Sequence, residues 1–546
     1  MSERKIKTFL LDGYLDEPSA LGVPPYISPH IRYVYGALLS AGLPEEYIDY
    51  RTIDQFRTDW DNNIEKLESY DLFIIIAGTT VPGHYLGGRP ISLAEIKELG
   101  SKVYYPTKVL GGPITLIKDE MDGYDILTRE TAALDIYSRL AEMDLDKLRN
   151  SAAQYISEWS AKGASLSKLH PSYPNLVIEL ETFRGCPREN HCAFCSERLK
   201  KVHYTRSPQQ IIKEVKKLGE LGNHHFRLGC QTDILSYAAD ENGRLNPAKM
   251  EELYAGIRKA DPHLKVLHLD NINPATLIHQ KEAGHKIIEI ITKYNTAGDT
   301  AAFGLESADP VVLEKNNIEA DPDIAFKAIQ LLNEIGGKRV NGVPKLLPGI
   351  NFLHGLIGER KETFEYNYNF LKKVYEAGLM LRRINIRQVV QIDNYPTEKV
   401  DKGKFKEYKK QVNEEINRPM LKRVFPADTI LRDVRIEKIE GKISYGRQLG
   451  TYPILVAVPG QLEINKFYDV KVIDHGYRSI TAFTWPIKIS DLSADQLSYI
   501  PGIGKKRASK IFLEEPSSLK DVLNLIEDKE TRSLLKKLFN TEGQGQ

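Results

Sequence analysis

Glu179-Leu-Glu-Thr-Phe-Arg-Gly-Cys186-Pro-Arg-Glu-Asn-His-Cys192-Ala-Phe-Cys195-Ser196 is the stretch from which the rest of the chain is read. A strand-like run, Leu176–Glu181, leads through Gly185 into a compact loop carrying three thiols. Four cysteines occur in 546 residues, and three of them lie between positions 186 and 195. A secreted disulfide framework spreads an even number of cysteines along the chain. Three clustered thiols point to metal instead. Three thiolates ligate three irons of a [4Fe–4S] cube and leave the fourth iron open to a further ligand. A closed zinc site or an electron-transfer cluster needs a fourth protein ligand. His191 is the nearby candidate, but it adjoins Cys192 and would have to bend back.

Working outward, residues 166–400 repeat strand, loop and helix. Leu176–Glu181, His225–Leu228, Val266–Asp270, Ala301–Leu305, Gly349–His354 and Ile384–Val390 read as strands. Ser207–Gly222 and Pro322–Gly336 read as helices between them. Six such units predict an incomplete (β/α)6 barrel, with its chemistry at the C-terminal strand ends. Residues 1–165 alternate in the same way, through Thr8–Asp12, Leu72–Ala77, Lys108–Leu110 and a helical Pro29–Gly42, and predict a flavodoxin-like α/β domain. Gly78–His84 and Gly111–Pro113 follow two of its strands, where ligand loops of open sheets lie. Residues 401–427 are a charged helical linker. Residues 428–487 carry five short β-rich runs, Leu431–Ile439, Ile443–Arg447, Tyr452–Val458, Phe467–Ile473 and Arg478–Phe483, and predict a small β-barrel. Residues 488–546 are helical, with Pro501-Gly-Ile-Gly504 joining two helices and a frayed tail from Glu542.

The whole-chain numbers narrow the class. A formal charge of +1, 41% hydrophobic and 27% charged residues suit a globular protein with no overall field to attract nucleic acid. No run reaches the roughly 18 apolar residues of a membrane span. Met1-Ser-Glu-Arg-Lys-Ile-Lys7 lacks the apolar core of a signal peptide, so a cytoplasmic location is expected.

The three cysteines after the first barrel strand, with Phe194 before the last, resemble the radical S-adenosylmethionine (SAM) superfamily over residues 170–395. The spacing is CX5CX2C where that family usually has CX3CX2C. The resemblance implies that Cys186, Cys192 and Cys195 hold the cluster and that Phe194 packs on the adenine of SAM. Phe303-Gly-Leu-Glu-Ser307 looks like the fourth-strand signature, implying SAM contacts for Glu306 and Ser307. Gly349-Ile-Asn-Phe-Leu-His-Gly355-Leu-Ile-Gly358-Glu359 looks like the fifth-strand signature, implying adenine contacts for Gly355 and Gly358. Gly229-Cys-Gln231 stands where the family has a Gly-Gly-Glu, leaving Gln231 for the methionyl amine. Cys230 is either a small buried residue or an active-site thiol. His268, Asp270, Asn271 and Asn273 end the next strand, where they could touch substrate. Arg382, Arg383 and Arg387 either bind a substrate phosphate or form an exterior salt-bridged face.

The flanking segments complete the expectation. The N-terminal domain is similar to the cobalamin-binding and methylthiotransferase domains that precede such barrels. Asp12-Gly-Tyr-Leu-Asp-Glu-Pro18 lacks the DxHxxG motif, and the domain has no cysteine, so neither His-ligated cobalamin nor a second cluster is expected there. Leu21-Gly-Val-Pro-Pro-Tyr26 is a stiff loop or a cap on the barrel mouth. Residues 446–473 resemble an RNA-binding TRAM barrel. Ser498–Ile511 resembles a helix–hairpin–helix, whose Gly502, Gly504, Lys505, Lys506 and Arg507 would grip nucleic-acid backbone or dock a protein. Together these likenesses imply an RNA-modifying, most readily tRNA-modifying, radical SAM enzyme served by an electron donor such as ferredoxin or flavodoxin. The rivals are an enzyme acting on a protein or small molecule, including by methyl transfer, and a non-enzymatic iron–sulfur nucleic-acid-binding protein.

Overall fold

Leu72-Phe-Ile-Ile-Ile76 is buried at all five positions, as a central parallel strand covered on both faces requires. The computed structural model describes residues 5–539, apart from 17–19, 24, 80–84, 118–120, 129–130, 515 and 517. Most of the 78–84 loop, part of the 12–18 segment, Pro24 and the tail from Glu542 therefore lie outside the described residues.

The first six strands are β1 (Thr8–Asp12), β2 (Tyr26–Ile27), β3 (Ile48–Thr52), β4 (Leu72–Ile76), β5 (Thr107–Gly111) and β6 (Ile126–Thr128). All but β2 form one parallel sheet in the order β3-β1-β4-β5-β6, a doubly wound 2-1-3-4-5 arrangement. β2 leaves that sheet and pairs in parallel with β7 (Val177–Glu181) of the following domain. A two-residue clasp, β8 (Phe183–Arg184) with β9 (Tyr204–Thr205), follows. Then come β10 (His225–Gly229), β11 (Val266–Leu269), β12 (Asn271–Ile272) and β13 (Asp299–Glu306). After a small hairpin of β14 (Arg339–Val340) and β15 (Val343–Pro344), β16 (Leu346–His354) and β17 (Arg383–Gln388) complete the set.

These strands make two parallel sheets, β11-β10-β7-β2 and β12-β13-β16-β17. Asp270 separates β11 from β12, and its carbonyl accepts from Ala302 N at 2.8 Å, so the two sheets continue as one arc. The six expected barrel strands are present, and β2 adds an unforeseen strand at the open edge. A strand of two residues cannot signal itself by periodicity, which is why β2 is unforeseen; β3 and β6 are further strands beyond those expected.

The closed barrel at the C-terminal side has the order β18-β19-β20-β22-β21. Its strands are β18 (Ile430–Glu440), β19 (Ile443–Gln448), β20 (Leu455–Pro459), β21 (Phe467–His475) and β22 (Ser479–Thr484). One expectation fails here: the strand starts at Leu455, and Tyr452–Ile454 stays in a loop. Tyr452 takes a left-handed φ of 47° and Pro453 has no N–H to donate to a ladder. Helices Ala494–Leu497 and Lys505–Leu513 follow, packed through Leu497, Ile500, Ile503 and Ile511 against Ile473 and Phe483. Among the described residues no helix is long and apolar enough to cross a membrane.

The N-terminal domain is joined to the barrel through buried charge. Arg32, in the helix Pro29–Ser40, meets Glu214 at 2.5 Å, and Arg206 meets the same carboxylate at 2.7 Å. All three side chains are 0% exposed. Arg32 also donates to the Glu179 carbonyl and Arg206 to the Glu181 carbonyl, both on β7. Burial pushes the Glu214 carboxyl up, and the two guanidiniums more than reverse that, leaving it below its ordinary value. Glu214→Ala strands two cations and should cost about 3–5 kcal/mol in denaturant unfolding. The charge-free triple variant Arg32→Met, Arg206→Met, Glu214→Leu should cost markedly less.

Candidate active site

The cysteine loop is closed at its neck. β8 and β9 pair Phe183 with Thr205 and Arg184 with Tyr204, so residues 185–203 leave and return at one point. Gly185 makes the exit turn at φ 105°, and a Cβ there would lie 2.6 Å from the His203 ring. Ala193 N donates to the Asn316 carbonyl at 3.0 Å. Arg188 donates to Cys192 Sγ at 3.0 Å and to the Asn317 carbonyl at 2.9 Å. The loop is thus held against the segment that follows β13.

Cys186, Cys192 and Cys195 are all half-buried and unbonded to one another. Burial pushes all three thiols up, Cys195 to about 12, and Cys192 and Cys195 also feel the charge of their cysteine neighbours. A metal must therefore displace their protons to bind. Among the described residues no three His, Cys, Asp or Glu side chains converge as one ion would require. Three thiols share one stapled loop, and an arginine donates to one of the sulfurs.

Two strand ends beside the loop hold non-glycine residues in left-handed backbone, a conformation kept only where the surroundings demand it. Glu306 ends β13 at φ 61°, where the register with β16 slips between Gly304 and Glu306. Burial alone pushes its carboxyl up to about 8. Cys230 follows β10 at φ 60° and donates its thiol to Glu179 at 3.1 Å. Tyr26 donates to the same carboxylate, and Arg227 bridges Glu179 and Asp16. Cys230 therefore belongs to a polar network in the lumen, not to apolar packing.

The other sequence candidates divide. Phe194 faces the cavity described below and meets Tyr395 edge-on at 6.4 Å. Tyr395 donates to Asn316, and Asn316 donates to the Ile357 carbonyl at 2.9 Å, so the cysteine loop, the end of the helix Pro310–Lys315 and residues 355–358 are gathered together. Gly355 and Gly358 turn at φ 91° and 85°. Gln231 is buried, its amide bonded to Thr182 and to the Leu228 carbonyl, so it is turned inward. Ser307 is buried and accepts from Asp309 N at 3.1 Å. Asn273 caps the helix Pro274–His279, and Asn271 donates to the Gln231 carbonyl.

Of His268 and Asp270, which could touch substrate, His268 is buried under protein and Asp270 is half-buried. His268 Nδ1 accepts from Thr451 N at 3.0 Å, and Tyr452 donates its hydroxyl to Asp270. Burial pushes His268 down to about 3, which keeps it neutral and able to accept. Gly450 passes so close that a Cβ would lie 2.7 Å from the imidazole. The loop before β20 thus closes the open side of the arc between β2 and β17. Arg447 adds a bond to the Gly22 carbonyl at 2.9 Å, and Arg383 stacks over Tyr452 at 3.9 Å. A cavity of about 900 Å³ remains inside, lined by Phe194, Cys195, Arg227, Arg387 and Tyr452 among others.

Residues 180–371 match the family model described as Radical SAM superfamily. The chain belongs to the radical SAM superfamily. It is 40% identical over 541 residues to an uncharacterized protein of Archaeoglobus fulgidus, covering 97% of this chain and 99% of that one. It is 41% identical over 510 residues to the uncharacterized protein MJ0274 of Methanocaldococcus jannaschii, covering 87% and 92%. Among solved structures it is similar to the radical S-adenosylmethionine methyltransferase TsrM of Kitasatospora setae with cobalamin and [4Fe-4S] cluster bound, at 13% identity and a TM-score of 0.45, covering 69% and 74%. The chain is a radical SAM enzyme, and membership implies a [4Fe–4S] cluster and SAM.

Asp16, Tyr26, Glu179 and Tyr452 escaped the sequence reading. Glu179 and Glu181 carried a signal, because acidic residues alternating inside an otherwise apolar strand are rarely buried without purpose. The others are joined to the radical SAM lumen only by the fold.

The Glu306 shift has a sign that can be tested on apoprotein. Between pH 4.5 and about 8 the folded state keeps a proton that the unfolded chain has lost. Stability should therefore fall as pH rises through that window. Glu306→Gln should flatten the fall, measured by denaturant unfolding at pH 5.5 and 8.

Proposed function

We propose that this radical SAM enzyme modifies RNA, most readily tRNA, with Cys186, Cys192 and Cys195 holding its cluster. When bound, the cluster and SAM supply a 5′-deoxyadenosyl radical that takes hydrogen from an unreactive carbon. Phe194, Gly355 and Gly358 offer an adenine wall, and Glu306 offers a carboxyl group for a hydroxyl or ammonium of SAM. Ser307 and Gln231 act through position, holding the ends of β13 and β10. Cys230 keeps its proton, since burial and Glu179 raise it far above the thiol range. The 450–454 loop excludes water from the lumen. Cobalamin stays outside this proposal, because its DxHxxG motif is missing.

The observation that carries the RNA reading is the turn at Pro501–Gly504. Gly502, Gly504, Lys505, Lys506 and Arg507 are all exposed at the start of the helix Lys505–Leu513. Gly502 turns at φ 84° against Thr531, and no atom lies within 4 Å of a Cβ at Gly504, so the start of the helix is uncrowded where a phosphate would approach its N–H groups. Arg507 donates to the Gly502 carbonyl at 2.6 Å and braces the turn.

Replacing the three loop cysteines with Ala should remove the iron and abolish release of 5′-deoxyadenosine from SAM. A triple variant that still cleaves SAM removes the cluster assignment. Lys505→Gln with Lys506→Gln should shallow the salt dependence of tRNA binding by about one to two units of log–log slope. Equal slopes would remove the hairpin as the RNA grip, and absence of RNA binding by the parent protein would turn the reading toward a protein substrate.

A further inference from the structure

We infer that a second ligand site lies in the cleft between the N-terminal domain and the small barrel, where Arg435 receives the carboxylate or phosphate of a small organic anion. The cleft holds about 400 Å³, the size of a small-molecule site. It shares Pro25 with the larger cavity, but Phe194 and Cys195 line only the larger one. One wall is the C-terminal edge of the parallel sheet, with Tyr14 just beyond β1 and Thr52 and Gln55 at the end of β3. Open α/β sheets take their ligands outside those strand ends. A second wall is Arg435, Glu437 and Lys438 of β18. The apolar side is Leu21, Pro25 and Leu86. Leu86 N donates to the Ala20 carbonyl at 2.8 Å and Val23 N to the Gly88 carbonyl at 3.0 Å, so that side is stitched in place.

Arg435 is 7% exposed and lines this cleft. Its Nη2 donates to Asn465 Oδ1 at 2.8 Å, while its buried Nε has no hydrogen-bond partner. Among the described residues no carboxylate forms an ion pair with it. The carboxylates that share the cleft are committed elsewhere. Glu437 accepts from Arg447 with both oxygens at 2.9 Å, and Asp54 accepts from Tyr14 at 2.9 Å and from Arg57 at 3.0 Å. Lys438 is paired with Glu440 at 2.7 Å. Burial pushes the Arg435 guanidinium below its ordinary value; Glu437 opposes that shift, and Arg447, facing it across β18 and β19, adds to it. A buried guanidinium without a carboxylate is unfavourable until an anion enters. Two further donors line the cleft. Gln55 spends its carbonyl oxygen on Thr52 and leaves its NH2 group without a partner among the described residues, and so does the Ser172 hydroxyl. A guanidinium fork matches carboxylate and phosphate oxygens alike. The apolar side suits a hydrocarbon body attached to the anionic group.

The probes are phenyl phosphate and benzoate, each titrated by calorimetry into the full-length protein. The parent should bind at least one of them. Binding of phenyl phosphate alone assigns a phosphate ligand, and binding of benzoate assigns a carboxylate. Arg435→Gln should weaken binding about tenfold, the usual worth of one charge-assisted hydrogen bond. Gln55→Glu, on the other wall, keeps the helix cap and sets a negative charge beside the anion, so it should weaken binding at least as much. Arg478→Gln, the same charge change in the lining of the larger cavity, should match the parent. The ligand would touch the N-terminal domain and the small barrel at once, so it should raise the thermal midpoint of the parent and leave that of Arg435→Gln where it was. A parent that binds neither probe, or Arg435→Gln and Gln55→Glu variants that bind as the parent does, would overturn the inference. Binding lost in Arg478→Gln and kept in Arg435→Gln would overturn it too, by placing the anion in the larger cavity.

Discussion

Three buried charges hold the molecule in register. Glu214 reaches inward from a barrel helix and takes Arg32 from the N-terminal domain and Arg206 from the chain just after the cysteine loop. The two arginines then donate to the carbonyls of Glu179 and Glu181, the strand that leads into that loop. Desolvating an ion pair gains little by itself, and leaving one member alone is costly. The triad therefore acts less as a source of stability than as a penalty on every arrangement in which the N-terminal helix sits elsewhere. With that helix placed, β2 lies along β7, and Tyr26 reaches Glu179 inside the barrel.

The consequence is an active site assembled from the whole chain. A six-strand arc leaves a gap between its edges, and here the gap is filled from both ends of the sequence. β2 extends one edge, and the 450–454 loop of the small barrel closes against His268 and Asp270 from the other side. The small barrel is thus a wall of the catalytic cavity as well as a neighbour of the exposed Lys505–Arg507 turn.

The lumen also shows where backbone strain is tolerated. Glu306 and Cys230 both sit at strand ends with positive φ, and both point polar groups inward. Glu306 stands beside a register slip in the ladder, and Cys230 donates to a carboxylate already shared by Tyr26 and Arg227. Such positions persist where the surrounding packing over-determines them, as it does in a cavity bounded by three units.

The sequence by itself determined the parts that depend on local order. Alternating strands and helices, the cysteine spacing, the glycines at 355 and 358 and the Pro-Gly-Ile-Gly turn are readable because each needs only its own neighbours to explain it. The barrel strands fall within a few residues of their expected places for the same reason. Tertiary structure alone decided that Tyr452 belongs to a loop and not to a strand, that His268 is covered and Asp270 is bonded to Tyr452, that Gln231 turns inward, and that Arg383 and Arg387 line a cavity. Most of these outcomes depend on contacts between residues far apart in the chain, such as Thr451 with His268 and Arg383 with Tyr452. No periodicity along the chain encodes such pairs, because which face of a strand is buried is fixed by what packs against it, and here that partner arrives from another domain.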